Sequence, residues 1–175
     1  MRDQVGYALL ELDSLRNWEH NPTLYVELIG SALFTPYSVK YAPEEDRYRH
    51  IIVRLKALPK VLDAAGANLK DVPGVWRRVA KEENAGNIAL VDQTLRAAAP
   101  VALKAEYDAA ATSALAALRG FNNYLDGLPD AGPDSWRLGA EKYNAKFAAV
   151  MGGTRTVEDA LAEAEQDLRA VRKQM

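Results

Sequence analysis

The two histidines, His20 and His50, are the side chains best suited to metal or acid–base chemistry in this sequence. Neither belongs to a His-Glu-x-x-His pattern, and no Glu-x-x-His occurs, although helical di-metal sites use that pair one turn apart. Asp46 and His50 are four residues apart and can share one helix face. Two side chains are fewer than the three or four ligands that zinc takes, so an exposed ion pair near a helix start is the better interpretation. The sequence therefore predicts no catalytic, cofactor-binding or metal-binding residue of its own.

Other residue clusters are better explained by structure than by chemistry. Residues 18–22, with the sequence Trp-Glu-His-Asn-Pro, are dense in functional side chains, but a helix end with its tryptophan in the core explains them. Neither a Gly-x-Ser-x-Gly elbow nor a glycine-rich phosphate loop is present. The lack of cysteine excludes disulfides and thiolate chemistry.

The charge balance gives no sign of a polyanionic partner. The chain has 22 basic and 24 acidic residues, a net charge of −2, and both signs are spread along it. We therefore expect neither nucleic acid nor a membrane as a partner. The longest charge-free apolar run, residues 109–118, is too short to span a bilayer. We expect a soluble chain without a signal peptide, whose compartment is unknown: cytoplasmic or, with an upstream signal, periplasmic.

Helical periodicity runs through nearly the whole chain. Alanine and leucine are abundant and favour helix, whereas valine and isoleucine are too scattered for a sheet. The predicted fold class is all-α, an antiparallel bundle of about six to seven helices, several of them long. Long helices alternate with short links and no domain boundary is visible, so residues 1–175 are predicted to form a single helical domain. Apolar residues recur at steps of three and four in seven segments: residues 3–20, 23–34, 42–69, 73–98, 101–126, 134–151 and 157–175.

Proline, glycine and capping residues predict where these segments begin and end. Pro36 is expected to end the second segment, whereas Pro59 is expected to kink the third, because the apolar period resumes beyond it. Asp134 or Ser135 is the expected N-cap of the sixth segment. Thr156-Val-Glu-Asp159 has capping-box spacing and opens the seventh. Stripes predicted to be buried include Val5, Leu9, Leu12, Leu15 and Trp18 in the first segment, Val75 in the fourth, and Leu161, Ala164, Leu168 and Val171 in the last.

Five short motifs follow one another in order along the chain. This series resembles the N-terminal helical half of the bacterial "domain of unknown function 885" family, from about residue 21 to residue 175. The motifs are Asn21-Pro22-x-x-Tyr25, Arg54-Leu55-x-x-Leu58-Pro59-x-x-Leu62-x-x-Ala65-x-x-Asn68-Leu69, Phe121-x-x-Tyr124-Leu125-x-x-Leu128-Pro129, Leu138-Gly139-x-Glu141-x-Tyr143 and Ala160-Leu-x-Glu163-Ala-x-x-x-Leu168.

The resemblance has implications for chemistry that the residues alone do not have. Members of that family are similar to zinc metallopeptidases of the gluzincin type, with a His-Glu-x-x-Pro-Gly-His motif in the C-terminal half. That half is expected to be absent here, so zinc is implied only for the missing half and no catalytic residue is transferred. The chain then corresponds to a helical wall or lid beside a substrate channel, with Glu141 and Tyr143 as the residues expected nearest to it. The alternative for this motif is packing: Gly139 lets two helices approach, and Tyr143 lies in the core.

Two functions from different classes are therefore carried forward. The first is a non-catalytic helical part of a metallopeptidase-like protein, inactive alone. It predicts an exposed apolar face where the missing C-terminal half docks or where the chain self-associates. The second is a stand-alone helical binding or scaffold module with a self-contained surface. Whether the chain is an enzyme by itself stays open, although its residues argue against it.

Overall fold

The computed structural model describes residues 2–129, 131–153 and 155–174. These residues are mostly helical and contain no strand, which confirms the all-α prediction. Eight α-helices occur in the described part of the chain, whereas about six to seven were predicted. The extra helix arises because the first predicted segment is split. The eight helices are α1 Arg2–Leu10, α2 Asn17–His20, α3 Thr23–Ser38, α4 Glu44–Asn68, α5 Gly74–Ala89, α6 Lys104–Gly127, α7 Gly139–Val150 and α8 Val157–Gln174, with π-helical segments Glu11–Leu15 and Leu90–Leu95 and a 3₁₀ turn Val101–Leu103.

Contacts group the chain into two compact units. The smaller unit consists of Met1–Asn17 and Arg137–Met175, and the larger unit consists of Trp18–Trp136. Each unit is described by itself. That residues 1–175 form one domain without an internal boundary stays a prediction. No described helix has both the length and the apolar character needed to cross a membrane.

The larger unit is a helical bundle with one hydrophobic core. Helix α4 packs against α6 and α3, and α5 packs against α3 and α6. The apolar residues that recur along α4 and α6 form the centre of this core. The prediction for Val75 is wrong, because this side chain is exposed near the start of α5. The fully buried members include Ile51, Leu55, Val91, Leu95, Tyr107, Leu118 and Leu125.

Helix α3 continues through Pro36 to Ser38, so the predicted end at Pro36 is wrong. A proline inside a helix leaves the carbonyl four residues earlier without its N–H donor. Here that carbonyl belongs to Ala32, and Arg54 Nη1 of α4 donates to it at 2.5 Å. The arginine replaces the missing donor, which lets the helix pass the proline. Pro59 lies inside α4, which continues to Asn68 as predicted.

A buried arginine ties off the end of α3. Arg47 is 7% exposed, and its Nη1 donates to the carbonyl oxygens of Pro36 at 2.6 Å and Tyr37 at 2.9 Å. Its Nε donates to the carbonyl of Ala42 at 3.1 Å. A cation at a helix C-terminus is favourable because the last carbonyls carry partial negative charge. Arg47 thus fixes the α3–α4 connection.

Two buried asparagines hold α5 between its neighbours. Asn84 Nδ2 donates to the carbonyl of Leu118 on α6 at 2.8 Å, and Asn87 Nδ2 donates to the carbonyl of Val26 on α3 at 2.9 Å. Gly30 of α3 faces Asn87 so closely that a Cβ there would lie 2.8 Å from Asn87 Oδ1. The absence of a side chain at Gly30 is therefore what allows α3 and α5 to approach.

The first segment of the smaller unit is not one continuous helix, contrary to the prediction for residues 3–20. Arg16 has a left-handed backbone with φ 51°, and it separates the π-helical segment from α2. Leu15 is buried, but Val5, Leu9 and Leu12 are each more than half exposed, so their predicted burial is wrong. The break at Arg16 stops the stripe from continuing along one helix face.

Helix α7 begins at Gly139, five residues after the first predicted cap, so the assignment of Asp134 or Ser135 as N-cap is wrong. Residues 133–136 instead form turns. The end of α7 is as predicted: Gly152 and Gly153 have positive φ, and Gly153 N donates to the carbonyl of Ala148 at 2.7 Å. This bond has the pattern of a Schellman helix end.

Candidate functional site

The predicted channel residues Glu141 and Tyr143 both lie on α7 and both are exposed. The ring of Tyr143 is 50% exposed and stacks on Phe147 one turn later, with ring centroids 6.4 Å apart. The packing alternative for Tyr143 is therefore wrong. It is also wrong for Gly139, where a Cβ would meet no other described residue within 4 Å and the backbone has φ 75°. A channel role for Glu141 and Tyr143 stays a prediction.

A polar cluster ties α7 to the first segment of the chain. Glu11, at the start of the π-helical segment, accepts hydrogen bonds at Oε1 from Tyr7 Oη at 2.7 Å and Lys146 Nζ at 3.0 Å. Asn17 Nδ2 donates to Glu11 Oε2 at 2.5 Å. The ammonium of Lys146 also lies 5.8 Å from the centre of the Tyr7 ring. Both carboxylate oxygens of Glu11 are thus engaged, and Lys146 lies one turn from Tyr143.

The electrostatics of this cluster favour an ion pair over catalysis. Burial alone would raise the pKa of Glu11, but the hydrogen bonds from Tyr7, Lys146 and Asn17 outweigh burial and lower it. The hydrogen bond to Glu11 raises the pKa of Lys146. An acid with a lowered pKa and occupied oxygens is a poor general base near neutral pH. The cluster is suited to positioning α7. Sequence reasoning missed it because no local pattern links Glu11 with Lys146, which lie far apart in the chain.

Residues 18–22 form a helix end, as predicted, since α2 ends at His20. Trp18, which was predicted to lie in the core, is only partly buried. Glu19 is 6% exposed and accepts from Lys70 Nζ at 3.3 Å, while the Lys70 amide donates to the Glu19 carbonyl at 2.6 Å. His20 Nδ1 lies 2.9 Å from the carbonyl oxygen of Lys70. These contacts hold the start of the larger unit against the end of α4, and the burial of Glu19 was not predicted.

The second histidine lies beside a tyrosine. His50 Nδ1 is 2.8 Å from Tyr41 Oη, and the two rings are parallel with centroids 5.9 Å apart. His50 is therefore in contact with Tyr41. His20 and His50 belong to separate clusters, and within the described part of the chain neither cluster combines a histidine with the ligands of a metal site.

The model of one protein family matches the whole chain, residues 1–175, and its description is "Bacterial protein of unknown function (DUF885)". The chain belongs to the DUF885 family. The resemblance seen in the ordered motifs is therefore confirmed, and the match extends to the first twenty residues, which the motifs leave out. Comparisons with curated proteins and with solved structures gave no match.

The resemblance implies zinc for full-length DUF885 proteins, but the residues described here do not fit that metal. Within residues 2–129, 131–153 and 155–174, no three side chains of His, Cys, Asp or Glu are grouped so that they could hold an ion. Zinc takes at least three protein ligands even in catalytic sites. No step of a reaction is therefore assigned to zinc held by these residues.

The smaller unit of this DUF885 chain has exposed apolar faces and hardly any core. Leu15 is the one hydrophobic side chain that is buried among its described residues. Helix α8 carries an apolar stripe of Leu161, Leu168 and Val171, each more than half exposed, so the predicted burial of this stripe is wrong. A helix normally buries such a stripe against another element.

Proposed function

We propose that this chain is a non-catalytic helical part, a channel wall or lid, of a zinc-peptidase-like DUF885 protein and is inactive alone. The catalytic residues would come from outside these 175 residues. The observation that supports this proposal is the exposed stripe of α8, because an amphipathic helix of this kind normally packs against a partner.

The size of the stripe makes docking favourable. Leu161 is 59% exposed, Leu168 51% and Val171 53%. Their spacing of seven and three residues keeps them on one face of α8. Full burial of one such side chain contributes about 1.5–3 kcal/mol, so a partner that covers the rest of all three gains about 2–5 kcal/mol. Val5 and Leu9 of α1 add exposed apolar surface to the same unit.

The same unit offers the polar groups that a channel wall needs. Helix α7 presents Glu141 and Tyr143 to solvent, and its position relative to the π-helical segment Glu11–Leu15 is fixed by the Glu11–Lys146 ion pair at 3.0 Å. A carboxylate and a phenol on a positioned helix are able to bind backbone amides and carbonyls of a peptide. We therefore propose Glu141 and Tyr143 as the substrate-facing residues of this wall.

A binding experiment tests the docking face. The chain is titrated with a separately produced segment of a DUF885 relative that carries His-Glu-x-x-Pro-Gly-His, and the Kd is measured by calorimetry. We expect the double substitution Leu161→Glu and Leu168→Glu to weaken binding by at least tenfold. The matched control is Ala162→Glu with Gln166→Glu, which adds the same charges to the opposite face of α8. Equal Kd values for the two variants would contradict docking through the stripe.

Sedimentation of the chain alone separates this function from the scaffold alternative. If the α8 stripe docks the catalytic part, it is uncovered in the isolated chain, and we expect copies of the chain to associate only weakly. A tight symmetric dimer that the Leu161→Glu and Leu168→Glu variant dissociates would favour a self-associating scaffold module instead.

A further inference from the structure

A shallow apolar groove lies between α3 and α4, wholly inside the larger unit. Its volume is about 220 Å³, and its walls include Leu28 and Ala32 from α3 and Ala57 and Val61 from α4. Leu28 is 59% exposed and Ala57 is exposed as well, so this apolar surface faces solvent. Because the two alanines are small, a further helix laid along the groove can approach both walls closely.

The groove has the length that the anchors of a docked helix need. Along α4 its lining extends from Arg54 to Val61, which is about 10 Å of helix axis. Two large side chains that are seven residues apart on an amphipathic helix lie on one face and have the same separation. The groove therefore accommodates two turns of such a helix.

Helix α8 carries a stripe with this spacing. Leu161 and Leu168 are seven residues apart, and each is more than half exposed. Ala164 lies between them on the same face and is exposed too. The stripe thus presents two leucines with a small residue at its midpoint, where α8 can approach Ala57 at the midpoint of the groove.

Charge also favours α8 as the occupant. Arg54 is the one charged residue among the described residues that line the groove, and its single hydrogen bond to Ala32 leaves further N–H donors available. Residues 157–168, the part of α8 that carries both leucines, contain five acidic residues and no basic one. Asp167 lies at the edge of the stripe beside Leu168. The stripe and the groove therefore match in spacing and are opposite in charge.

We propose that the α3–α4 groove of one copy of this chain binds the α8 stripe of a second copy, with α8 antiparallel to α4 and Asp167 paired with Arg54. This inference uses the stripe on which the proposed function rests, so a second copy and the catalytic part compete for α8. The contact is weak, because two turns of helix bury far less than the roughly 1,200 Å² of a stable interface. Weak contact agrees with the weak association between copies that is expected above.

Disulfide trapping detects a weak contact of this kind, because the chain has no cysteine of its own. One chain carries Ala57→Cys in the groove, and a ¹⁵N-labelled chain carries Ala164→Cys in the stripe. Each chain has a single thiol, so a disulfide forms only between copies, and mass spectrometry identifies the mixed dimer by its label. Under mild oxidation we expect the mixed dimer to form at least about tenfold faster than with Gln166→Cys, a control thiol on the opposite face of α8.

Two substitutions in the Ala164→Cys chain assign the contact. Leu168→Glu should slow trapping about tenfold, because it brings a charge into an apolar groove. Asp167→Lys should slow it as well, because it places a cation beside Arg54. Ala162→Glu, on the opposite face of α8, is the matched control and should leave the rate unchanged. Equal rates for Ala164→Cys and Gln166→Cys, or a rate that either Leu168→Glu or Asp167→Lys leaves unchanged, would overturn the proposal.

The outcome is separable from that of the proposed function. If the DUF885 segment binds the chain in calorimetry but no mixed dimer is trapped, this inference alone fails. If the mixed dimer is trapped but the segment does not bind, the proposed function alone fails. If both hold, an excess of the segment should suppress trapping, because the two occupants share the α8 stripe.

Discussion

At the scale of residues, two adjacent acceptors on α5 lack a hydrogen-bond partner among the described residues. Glu83 Oε2 and Asn84 Oδ1 are both buried and unpaired. Burying a polar atom without a partner is costly, so these positions reduce the stability of the larger unit. Burial raises the pKa of Glu83, and the nearby charge of Glu27 raises it further.

The raised pKa of Glu83 predicts that replacing this carboxyl group with a neutral amide increases stability by an amount that depends on pH. Its pKa in the folded chain lies above the ordinary value of 4.5, so its contribution to stability is full below 4.5 and is lost as pH rises through the folded pKa. Glu83→Gln should therefore raise Tm near pH 7, with the gain shrinking as pH falls towards 4. Thermal unfolding between pH 4 and 7.5 measures this. Glu82→Gln, at an exposed neighbouring position, is the control, and a gain for Glu83→Gln that is constant with pH would refute the argument.

The close approach at Gly30 predicts a second effect on stability. In Gly30→Ala the new Cβ would lie 2.8 Å from Asn87 Oδ1, so α3 or the Asn87 side chain must move. We expect a loss of about 1–3 kcal/mol in the free energy of unfolding, measured in urea. Gly86→Ala is the matched control: its Cβ meets nothing within 4 Å, so the helix should gain up to about 1 kcal/mol. Changes of the same sign in the free energy of unfolding for the two variants would contradict this explanation.

Sequence periodicity predicts apolar burial but not polar burial. Ile51 and Leu55, which repeat with the helical period along α4, do lie in the core. Arg47, Asn84 and Asn87 were missed because a periodic pattern treats polar residues as solvent-facing. The partners of Asn84 and Asn87 are backbone carbonyls distant in sequence, which only the folded arrangement brings near.

At the scale of elements, helix ends were predictable where the signal is a local hydrogen bond. The capping box that opens α8 is confirmed: Asp159 N donates to Thr156 Oγ1 at 3.0 Å, and Thr156 N donates to Asp159 Oδ2 at 3.2 Å. The start of α7 was missed because Asp134 and Ser135 have cap-like side chains, yet the chain forms turns there. The end of α3 was missed because the donor that replaces Pro36 belongs to another helix, through Arg54.

The capping box gives a prediction for α8. The hydrogen bonds from Thr156 lower the pKa of Asp159, so Thr156→Ala should raise it again towards its ordinary value. The same substitution should cost the helix about 1 kcal/mol. An NMR titration of Asp159 and amide exchange in the first turn of α8 measure the two effects. Thr112→Ala, an exposed threonine inside α6, is the control for loss of a hydroxyl. An unchanged pKa and unchanged exchange would refute the role of the cap.

At the scale of the whole molecule, the fold class and the family could be predicted from the sequence. Which apolar stripes stay exposed could not. The stripes of α1 and α8 satisfy the same periodic rule as those of α4 and α6, but only the latter are buried. Helical periodicity of apolar residues predicts that a helix has an apolar face, but it does not predict which element or chain covers that face. The exposure of Leu161 and Leu168 is the feature on which the proposal of a docking partner rests.

The candidate channel residues illustrate the same limit. Glu141 and Tyr143 were located through the family motif, and their exposure on α7 is compatible with the role proposed for them. The Glu11–Lys146 pair beside them was not predicted, because its members lie at opposite ends of the sequence.

The most direct test of the central claim is the rate of peptide hydrolysis with zinc present. A fluorogenic peptide is incubated with the chain alone, with a DUF885 segment carrying His-Glu-x-x-Pro-Gly-His alone, and with both together. The account predicts no turnover above background by the chain alone and a higher rate for the mixture than for the segment alone. The Leu161→Glu and Leu168→Glu variant should lose that increase, while the Ala162→Glu and Gln166→Glu control keeps it. Clear zinc-dependent turnover by the chain alone would contradict the claim that it is a non-catalytic part.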